Sequence, residues 1–386
     1  MLKKFTIFTS MIFVTVLALF VGCSKEESKA EKQIKLGITI YSYSDNFLSF
    51  MRRNIESMLK DKASFIVNDS ENDQAKQYDQ IDAAIQRKVD ALAINLVDPM
   101  SANMVIDKAK KAGIPVVFFN IEPRLEHIMS YDRVWYVGTK SRESGDIQGE
   151  MVLNAWKSNS KWDKNNDGKI QYVLLKGLAG HPDTEGRTER IKAVLTENGI
   201  ILEELDEQTA NWDILQAQNI ANTWIKKYGD SIEFIFSNND SMALGALKSI
   251  QAQGYNIGDE SKYIPIVGVD AIPEVIEEIR KGSIVGTVLQ SPKDQARAVV
   301  DMILNVASGK DVLDGTDYKL DEVKAVRVPY KAITKDNIND ALEAYNWLIL
   351  LYIEILFKII SDLYFKKLDL KIKMYILNNR ILIKFN

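Results

Sequence analysis

Residues 91–120 read ALAINLVDPMSANMVIDKAKKAGIPVVFFN: an apolar run, an amphipathic segment of helix length and a second apolar run. The pattern predicts a strand over residues 91–97, a helix over residues 102–112 and a strand over residues 115–120. Apolar runs that hardly alternate with polar residues are typical of strands buried on both faces of a parallel sheet. This stretch therefore predicts one unit of an α/β fold.

The same alternation continues on both sides of this stretch and occurs twice along the chain. It predicts further strands over residues 35–41, 64–68, 171–175, 233–237, 265–269 and 284–289, and further helices over residues 46–59, 75–87, 184–198, 213–227, 241–252 and 291–307. A globular part of about 310 residues is too long for one ordinary α/β layer. The predicted fold class is therefore α/β, with two doubly wound parallel-sheet lobes.

Residues 1–23 are predicted to be a bacterial secretory signal peptide. Lys3 and Lys4 precede an uncharged apolar run over residues 5–22, which is too short and wrongly flanked for a membrane span. Cys23, the only cysteine of the chain, follows at once. The segment resembles a lipoprotein processing site, at which Cys23 is lipidated; the alternative is an uncleaved hydrophobic anchor. Residues 24–33 are charged and lack large apolar side chains, which predicts a flexible tether.

Residues 346–386 differ in composition from the rest of the chain, because they contain no Gly, Ala, Pro, Thr, Val, Gln or His. One hypothesis for this tail is translation past the normal stop. The other is an amphipathic C-terminal helix, since Glu354, Lys358 and Asp362 recur at a spacing of four among apolar neighbours. The sequence leaves both open.

Polar and aromatic side chains follow many of the predicted strands, at the point where each strand ends. They are Asp45, Phe47, Asn120, His181, Asp183, Asn239, Asp270 and Gln290. Each one alone could be an ordinary helix cap or turn residue. In an open parallel sheet, however, ligands bind in the crevice beyond the carboxyl ends of the strands. A cleft between two such sheets would bring these side chains together around one small polar ligand.

Residues 163–171 read DKNNDGKIQ and have the spacing of a calcium-binding loop. The potential ligands are side-chain oxygens at four positions and one main-chain carbonyl: Asp163, Asn165, Asp167, Gln171 and the carbonyl of Lys169. The usual Glu at the twelfth position is replaced by Leu174, so the last carboxylate must come from elsewhere. Because no helix pair flanks the loop, the pattern predicts a structural Ca²⁺ ion and not a sensor. A solvated turn rich in Asp and Asn is the alternative.

Several short motifs resemble one known family. They are residues 40–47 (IYSYSDNF), 93–99 (AINLVDP), 116–120 (VVFFN), 180–183 (GHPD), 237–240 (SNND) and 267–271 (VGVDA). Together they resemble the bacterial D-galactose/D-glucose-binding periplasmic protein family over residues 34–339.

The resemblance implies a type I periplasmic binding protein fold, with two lobes joined by a three-segment hinge. The first lobe would contain residues 34–140 and 291–325, and the second residues 141–290 and 326–345. It also implies a monomer that delivers its sugar to the membrane subunits of an ABC importer and, in some members, to a chemotaxis receptor.

The resemblance further implies roles for single side chains. Phe47 and Trp212 would stack on the two faces of a D-galactose or D-glucose ring, and Glu233 would supply the missing calcium ligand. The side chains implied to bind the sugar hydroxyls are Asp45, Asn120, His181, Asp183, Arg187, Asn239, Asp270 and Gln290. The chain departs from the family at Ile121, where Lys is common, and at Gln290, where Asn is common. Affinity or sugar choice therefore stays open.

Three other functions fit parts of the pattern. Carboxylates such as Asp183, with His181 as base, could hydrolyse glycosides, but the chain has only two His and neither a Gly-rich phosphate loop nor a Ser nucleophile motif. A sugar-sensing transcriptional repressor shares this fold, but the signal peptide and the net charge of −4 argue against nucleic acid as a partner. A surface lipoprotein with altered or lost sugar specificity is the third. The sequence thus predicts an exported, membrane-anchored sugar receptor that is not an enzyme.

Overall fold

The computed structural model describes residues 33–345. The signal peptide with Cys23, nearly all of the tether and residues 346–386 lie outside the described residues, so the interpretations of those segments stay predictions. Within residues 33–345, no helix has the length and apolar character needed to cross a lipid bilayer.

Strands and helices alternate along the described chain. The strands are β1 (Lys35–Ile40), β2 (Ser64–Asp69), β3 (Ala91–Ile94), β4 (Val116–Phe119), β5 (Val134–Gly138), β6 (Lys169–Lys176), β7 (Ile201–Thr209), β8 (Phe234–Ser237), β9 (Ile266–Asp270), β10 (Gly286–Leu289), β11 (Ala325–Arg327) and β12 (Lys331–Ile333). The helices are α1 (Asn46–Leu59), α2 (Gln74–Gln86), α3 (Ala102–Ala112), α4 (Leu125–Ile128), α5 (Ser141–Ser158), α6 (Pro182–Glu197), α7 (Ile214–Tyr228), α8 (Asp240–Gln251), α9 (Pro273–Lys281), α10 (Pro292–Ala307) and α11 (Ile338–Ala344).

The strands form two six-stranded sheets, each at the centre of one lobe. The strand order is β11-β5-β4-β3-β1-β2 in the first lobe and β12-β10-β9-β8-β6-β7 in the second. Hydrogen-bonded neighbours are parallel, except for the antiparallel pair β10 and β12. Strands such as β3, β4 and β9 are buried along their whole length, as expected for parallel sheets covered on both faces. The predicted α/β fold with two parallel-sheet lobes is confirmed.

Helix α1 shows how the sequence places a helix and a potential ligand group together. The Asp45 carboxylate caps the helix by accepting a hydrogen bond from the Leu48 N–H at 2.8 Å. Met51, Ile55 and Leu59 recur at helical spacing and pack into the first-lobe core. The buried stripe therefore fixes α1 on the sheet, with Asp45 at its first turn, just beyond the carboxyl end of β1.

The chain crosses between the lobes three times: between β5 and α5, between β10 and α10, and between β11 and β12. The third crossing lies later than the sequence predicts. β11 pairs with β5 as far as Arg327 opposite Gly138, and the Arg327 guanidinium binds Asp321 and Glu122 of the first lobe. The boundary predicted between residues 325 and 326 therefore falls inside β11 and belongs beyond Arg327.

Candidate ligand-binding cleft

A polar cavity lies between the two lobes, at the carboxyl ends of the strands. Its lining from the first lobe is Tyr41, Asp45, Phe47, Leu48 and Asn120. Its lining from the second lobe is His181, Asp183, Arg187, Trp212, Asn239, Asp270 and Gln290. The structure thus brings all ten residues predicted for the sugar site into one cavity.

Two lining residues, Tyr41 and Leu48, are absent from the predicted set. Tyr41 follows β1 inside the first of the family-like motifs, so its place at a strand end could have identified it as a lining residue. Leu48 is one of several apolar residues of α1, and nothing in the sequence distinguishes it from the residues of the core. Ile121, which replaces the Lys common in the family, does not line the cavity: it is 1% exposed and packs in the first-lobe core. The structure therefore directs the Ile121 side chain away from a ligand.

The first lobe supplies one carboxylate and one amide to the cavity. Asp45 accepts a hydrogen bond from the Tyr41 hydroxyl at 2.6 Å, in addition to capping α1. Asn120 has a left-handed backbone with φ 62°, a conformation that Asn tolerates better than most residues. The Asn95 amide donates to Asn120 Oδ1 at 3.1 Å, and the Tyr136 hydroxyl donates to the Asn120 carbonyl at 2.7 Å. These bonds orient Asn120 so that its amide N–H groups are left for a ligand.

Arg187 is the central cation of the second lobe and is only 2% exposed. Its Nη1 donates to the Asn238 carbonyl at 2.8 Å, and its Nη2 donates to Asp183 Oδ2 at 3.1 Å and to the Tyr330 hydroxyl at 3.3 Å. Its Nε donates to the Ser144 hydroxyl at 3.3 Å. Burial acts to raise the pKa of Asp183, but the adjacent Arg187 guanidinium prevails and holds that pKa below its usual range. Asp183 is therefore an ionised acceptor in the cavity.

His181 caps a helix with one ring nitrogen and leaves the other for a ligand. Its Nδ1 accepts a hydrogen bond from the Asp183 N–H at 3.1 Å, which caps α6. Burial lowers the pKa of His181, although the Asp183 carboxylate acts in the opposite direction. A neutral imidazole that accepts through Nδ1 carries its proton on Nε2. The ring can therefore donate a hydrogen bond to a ligand.

Trp212 provides an apolar face whose position is fixed by its neighbours. Asn211 and Trp212 both have left-handed backbones, with φ 53° and 63°. The indole packs against the backbone of Gly177, where an added Cβ would lie 2.0 Å from Trp212 Cζ2. The His181 ring meets it edge-on, with ring centroids 5.3 Å apart. Phe47 lines the same cavity from the other lobe. The two aromatic rings could therefore contact a ring-shaped ligand from both lobes.

Asp270 lies on a strained turn that is held by Asp240 and Thr287, two residues outside the predicted site. Asp270 and Ala271 have φ of 127° and 60°. The buried Asp240 carboxylate accepts from the Ile272 N–H at 3.0 Å and from the Thr287 hydroxyl at 2.7 Å. Burial raises the pKa of Asp240 to about 7. Asp240 adjoins Asn239 in sequence, but only the packing of β9 against α8 reveals that it supports the Asp270 turn.

Three carboxyl groups, those of Asp45, Asp183 and Asp270, line the cavity together with one guanidinium, that of Arg187. Burial raises the pKa of Asp45, although three hydrogen bonds and the Arg187 guanidinium act against it. Burial raises the pKa of Asp270 well above its ordinary value; Arg187 opposes this shift and neighbouring carboxylates add to it. A ligand that donates hydrogen bonds to Asp45 and Asp270 would relieve the cost of burying them. The site thus favours a neutral polyhydroxyl compound over an anion.

The predicted metal loop lies at the start of β6 in the second lobe. The Asp163 carboxylate accepts from the N–H groups of Asp167 at 3.1 Å and Gly168 at 3.0 Å. Glu233 lies beside the loop and accepts from the N–H groups of Lys164 at 2.6 Å and Gln171 at 3.2 Å. The loop and Glu233 are therefore neighbours, as the resemblance implies.

Two features of the loop fit a bound cation. Gln171 Oε1 is buried and has no hydrogen-bond partner, and burial raises the pKa of Glu233. A cation would bind Gln171 Oε1 and would favour the ionised form of Glu233. Among the described residues, no three His, Cys, Asp or Glu side chains converge closely enough to hold a metal by themselves. The set fits Ca²⁺ only with the amide and main-chain oxygens that this ion accepts.

Two α/β lobes joined by three crossovers, with a polar cavity between them, define a bilobed solute-binding protein. The chain belongs to the periplasmic binding protein family, whose domain model matches residues 36–311.

The chain is also similar in sequence to individual binding proteins of known ligand. The chain is 43% identical over 338 residues to the D-galactose/methyl-galactoside binding periplasmic protein MglB of Haemophilus influenzae, a match that covers 87% of this chain and 99% of the relative. It is 24% identical over 315 residues to the ribose import binding protein RbsB of Bacillus subtilis, covering 78% and 94% of the two chains.

Among solved structures, an ABC transporter solute-binding protein of Bacillus halodurans with bound myo-inositol matches with a TM-score of 0.68 and 27% identity. That match covers 81% of this chain and 98% of the other. These relatives are binding proteins for transport.

Proposed function

We propose that this protein binds D-galactose or D-glucose in the cleft and delivers the sugar to the membrane subunits of an ABC importer, without catalysing a reaction. The observation that carries the proposal is the convergence of all ten predicted side chains, from both lobes, on one cavity. The 43% identity to a galactose-binding relative over nearly its whole length supports the same class of ligand.

The cavity supplies both kinds of hydrogen bond that a neutral sugar requires. A hydroxyl group donates one hydrogen bond and accepts others. The carboxylates of Asp45, Asp183 and Asp270 accept, whereas Arg187 and His181 donate. Hydrogen bonds to charged partners are about twice as strong as neutral ones. The cavity wall thus offers a neutral sugar both acceptors and donors, in addition to the hydrogen bonds that these side chains already make within the protein.

Closure of the lobes is the proposed mechanism of delivery. A sugar contacts Phe47 of the first lobe and Trp212 of the second together only when the lobes are shut. It therefore binds the closed form more tightly and shifts the population towards it. The importer can recognise the loaded receptor from the relative position of the lobes. A chemotaxis receptor, as in some family members, would recognise the same state.

Calorimetric titration tests the proposal. The protein is first freed of bound sugar by unfolding and refolded with calcium. D-Galactose, D-glucose and methyl-galactoside are then compared with D-ribose and glucose 6-phosphate. We expect micromolar or tighter binding of at least one neutral hexose and none of the phosphorylated sugar, because the cavity already holds three carboxylates. Absence of binding by every neutral hexose would contradict the proposal and support a lipoprotein with altered or lost sugar specificity.

We also propose that loop 163–171 and Glu233 hold a structural Ca²⁺ ion. The expected ligands are the oxygen atoms of Asp163, Asn165, Asp167, Gln171 and Glu233 and the carbonyl of Lys169. Replacing Asp163 with Ala should remove the stabilisation by calcium, which amounts to about 2.7 kcal/mol at a concentration of one hundred times Kd. Thermal unfolding with calcium and with a chelator measures this difference directly.

A second signal separates metal binding from general stability. Trp162 precedes Asp163 in sequence, so it should sensitise the luminescence of Tb³⁺ bound in the loop, and calcium should displace that signal. Asp259 is the matched control, because its exposed carboxylate also accepts a main-chain N–H, from Ser261 at 2.9 Å. Asp259→Ala should keep both the calcium effect and the Tb³⁺ signal. An Asp163→Ala variant that keeps them would rule out this site.

The periplasmic family makes the chain an exported protein, and we propose that export uses residues 1–23 and leaves the protein anchored through lipidated Cys23. The support is the charged, apolar and small-residue order that ends at this single cysteine. Detergent phase partition tests the anchor. The wild-type protein should enter the Triton X-114 phase, and Cys23→Ser should not; equal partition of the two would refute lipidation at Cys23.

A further inference from the structure

Tyr345 connects the second-lobe core, a cavity residue and the opposite lobe, although it does not line the cavity. It is 3% exposed and packs in the apolar core of the second lobe. Its hydroxyl donates to the main-chain carbonyl of Asp270 at 2.8 Å. Its ring meets Phe50 of α1 edge-on, with ring centroids 4.8 Å apart and an interplanar angle of 86°.

Phe50 comes from the first lobe but packs against the second-lobe core. It lies on α1, the helix that begins at Asp45 and carries Phe47. We call the Phe50–Tyr345 pair the interlobe contact, because its two rings come from different lobes. An opening motion that carries α1 away from the second-lobe core would separate the two rings.

The carbonyl that Tyr345 binds belongs to the strained turn of Asp270. With φ of 127° at Asp270 and 60° at Ala271, this turn needs support on both sides. Asp240 holds the Ile272 N–H on one side, and the Tyr345 hydroxyl holds the Asp270 carbonyl on the other. Tyr345 thus takes part in two contacts: it binds the main chain of Asp270, whose side chain faces the cavity, and it forms the interlobe contact with Phe50.

We propose that Tyr345 is a positioning residue for Asp270 and that the interlobe contact slows ligand release by stabilising the closed lobes. This inference rests on the proposed sugar binding and deepens it. An interaction present only in the closed form raises affinity by favouring that form, without touching the ligand. It acts on dissociation, because the encounter with ligand takes place while the lobes are open.

Two substitutions separate the two parts of the proposal. Phe50→Ala removes the interlobe contact and leaves the bond between Tyr345 and Asp270 intact. It should raise the sugar dissociation rate by about three- to tenfold, in line with the measured worth of an aromatic pair, and change the association rate by less than about twofold. Tyr345→Phe keeps the ring contact but frees the Asp270 carbonyl, so affinity should fall while the closed fraction of the sugar-free protein is unchanged.

Each substitution has a matched control in the same chain. Tyr228 also donates its hydroxyl to a main-chain carbonyl, that of Leu205 at 2.7 Å, and neither residue lines the cavity. Phe65 is a partly buried first-lobe phenylalanine that packs only on the first-lobe core. Tyr228→Phe and Phe65→Ala should leave both sugar rate constants unchanged, even where they lower thermal stability.

The experiment measures D-galactose association and dissociation by stopped-flow fluorescence, together with the distance between spin labels at Lys111→Cys and Lys226→Cys, one exposed site in each lobe. If wild-type protein binds sugar and Phe50→Ala releases it no faster than Phe65→Ala does, the interlobe contact has no role and the proposed function still stands. If wild-type protein binds no hexose, the proposed function fails. The inference then depends on the closed fraction of the sugar-free protein: an unchanged fraction in Phe50→Ala overturns it, and a reduced fraction supports it.

Discussion

Replacing Arg187 with Met is expected to abolish hexose binding and to lower the free energy of unfolding by about 3–5 kcal/mol, the usual cost of removing one partner of a buried ion pair. Arg187 is 2% exposed, and its guanidinium binds Asp183, the Asn238 carbonyl and Tyr330. Met keeps much of the side-chain volume but none of these donors. The cavity would then hold three carboxylates without a cation.

The pH dependence of the Arg187→Met variant has a definite sign. In the wild-type protein the pKa of Asp183 is lowered, so its ionised form stabilises the fold at neutral pH, and this contribution is lost as the pH falls through that lowered pKa. Without Arg187, burial dominates and raises the pKa of Asp183 above its unfolded value. As the pH falls, Asp183 of the variant becomes protonated, and the free-energy cost of burying its charge disappears. The stability difference between the two proteins should therefore shrink from about pH 7 to about pH 5.

Urea unfolding at both pH values and calorimetric titration with D-galactose measure these effects. Arg190 is the matched control, because it lies on the same helix and pairs with Asp146 at the surface. Surface ion pairs contribute little to stability, so Arg190→Met should bind sugar normally. An Arg187→Met variant that binds D-galactose with wild-type affinity would show that the guanidinium is not part of the ligand site.

Much of the fold could be predicted because the buried strands are continuous apolar runs. The predicted strands correspond to β1–β4, β6 and β8–β10. β7 was missed because ILEELDEQT carries five acidic or amide side chains in nine residues. It lies at a sheet edge and pairs only with β6, so most of its side chains face solvent. Strands β11 and β12 have three residues each and owe their pairing to the hinge, which sequence patterns do not show.

Helix α5 was missed for a different physical reason. Its segment contains Gly145 and Gly149, and Gly in a helix interior costs about 1 kcal/mol relative to Ala. In the structure these glycines allow close packing of α5 on α6: an added Cβ would lie 2.8 Å from Arg190 Cβ and 2.7 Å from Val194 Cβ, respectively. A tertiary contact between two helices therefore overrides the local propensity.

The residues of the candidate site also divide into those that a local pattern predicts and those that depend on tertiary packing. Residues at the ends of parallel strands, such as Asn120 and Asp270, could be predicted because the topology of the fold brings strand ends together. Asp240 and Tyr345 could not, because they support the site through contacts that depend on the packing of distant segments. Residues that face a ligand are therefore easier to predict from sequence than residues that hold those side chains in place.

Replacing Trp212 with Ala is expected to weaken hexose binding by about 2 kcal/mol or more, roughly 30-fold in Kd. The indole is a large apolar surface for the C–H groups of a pyranose, and Ala leaves that face of the ligand in contact with water. Trp135→Ala is the control, because Trp135 is a partly buried tryptophan of the first lobe that does not line the cavity. Calorimetric titration of both variants should show a loss only for Trp212→Ala.

Gly177→Ala distinguishes the position of the Trp212 ring from its mere presence. The new Cβ would lie 2.0 Å from Trp212 Cζ2, far inside van der Waals contact, so the ring must leave its present position. The variant keeps every side chain that lines the cleft, yet its affinity should fall about as far as that of Trp212→Ala. Wild-type affinity in Gly177→Ala would mean that the ring has room to move without loss of stacking. Wild-type affinity in both variants would remove Trp212 from the site, because neither the ring nor its place would then matter to the sugar.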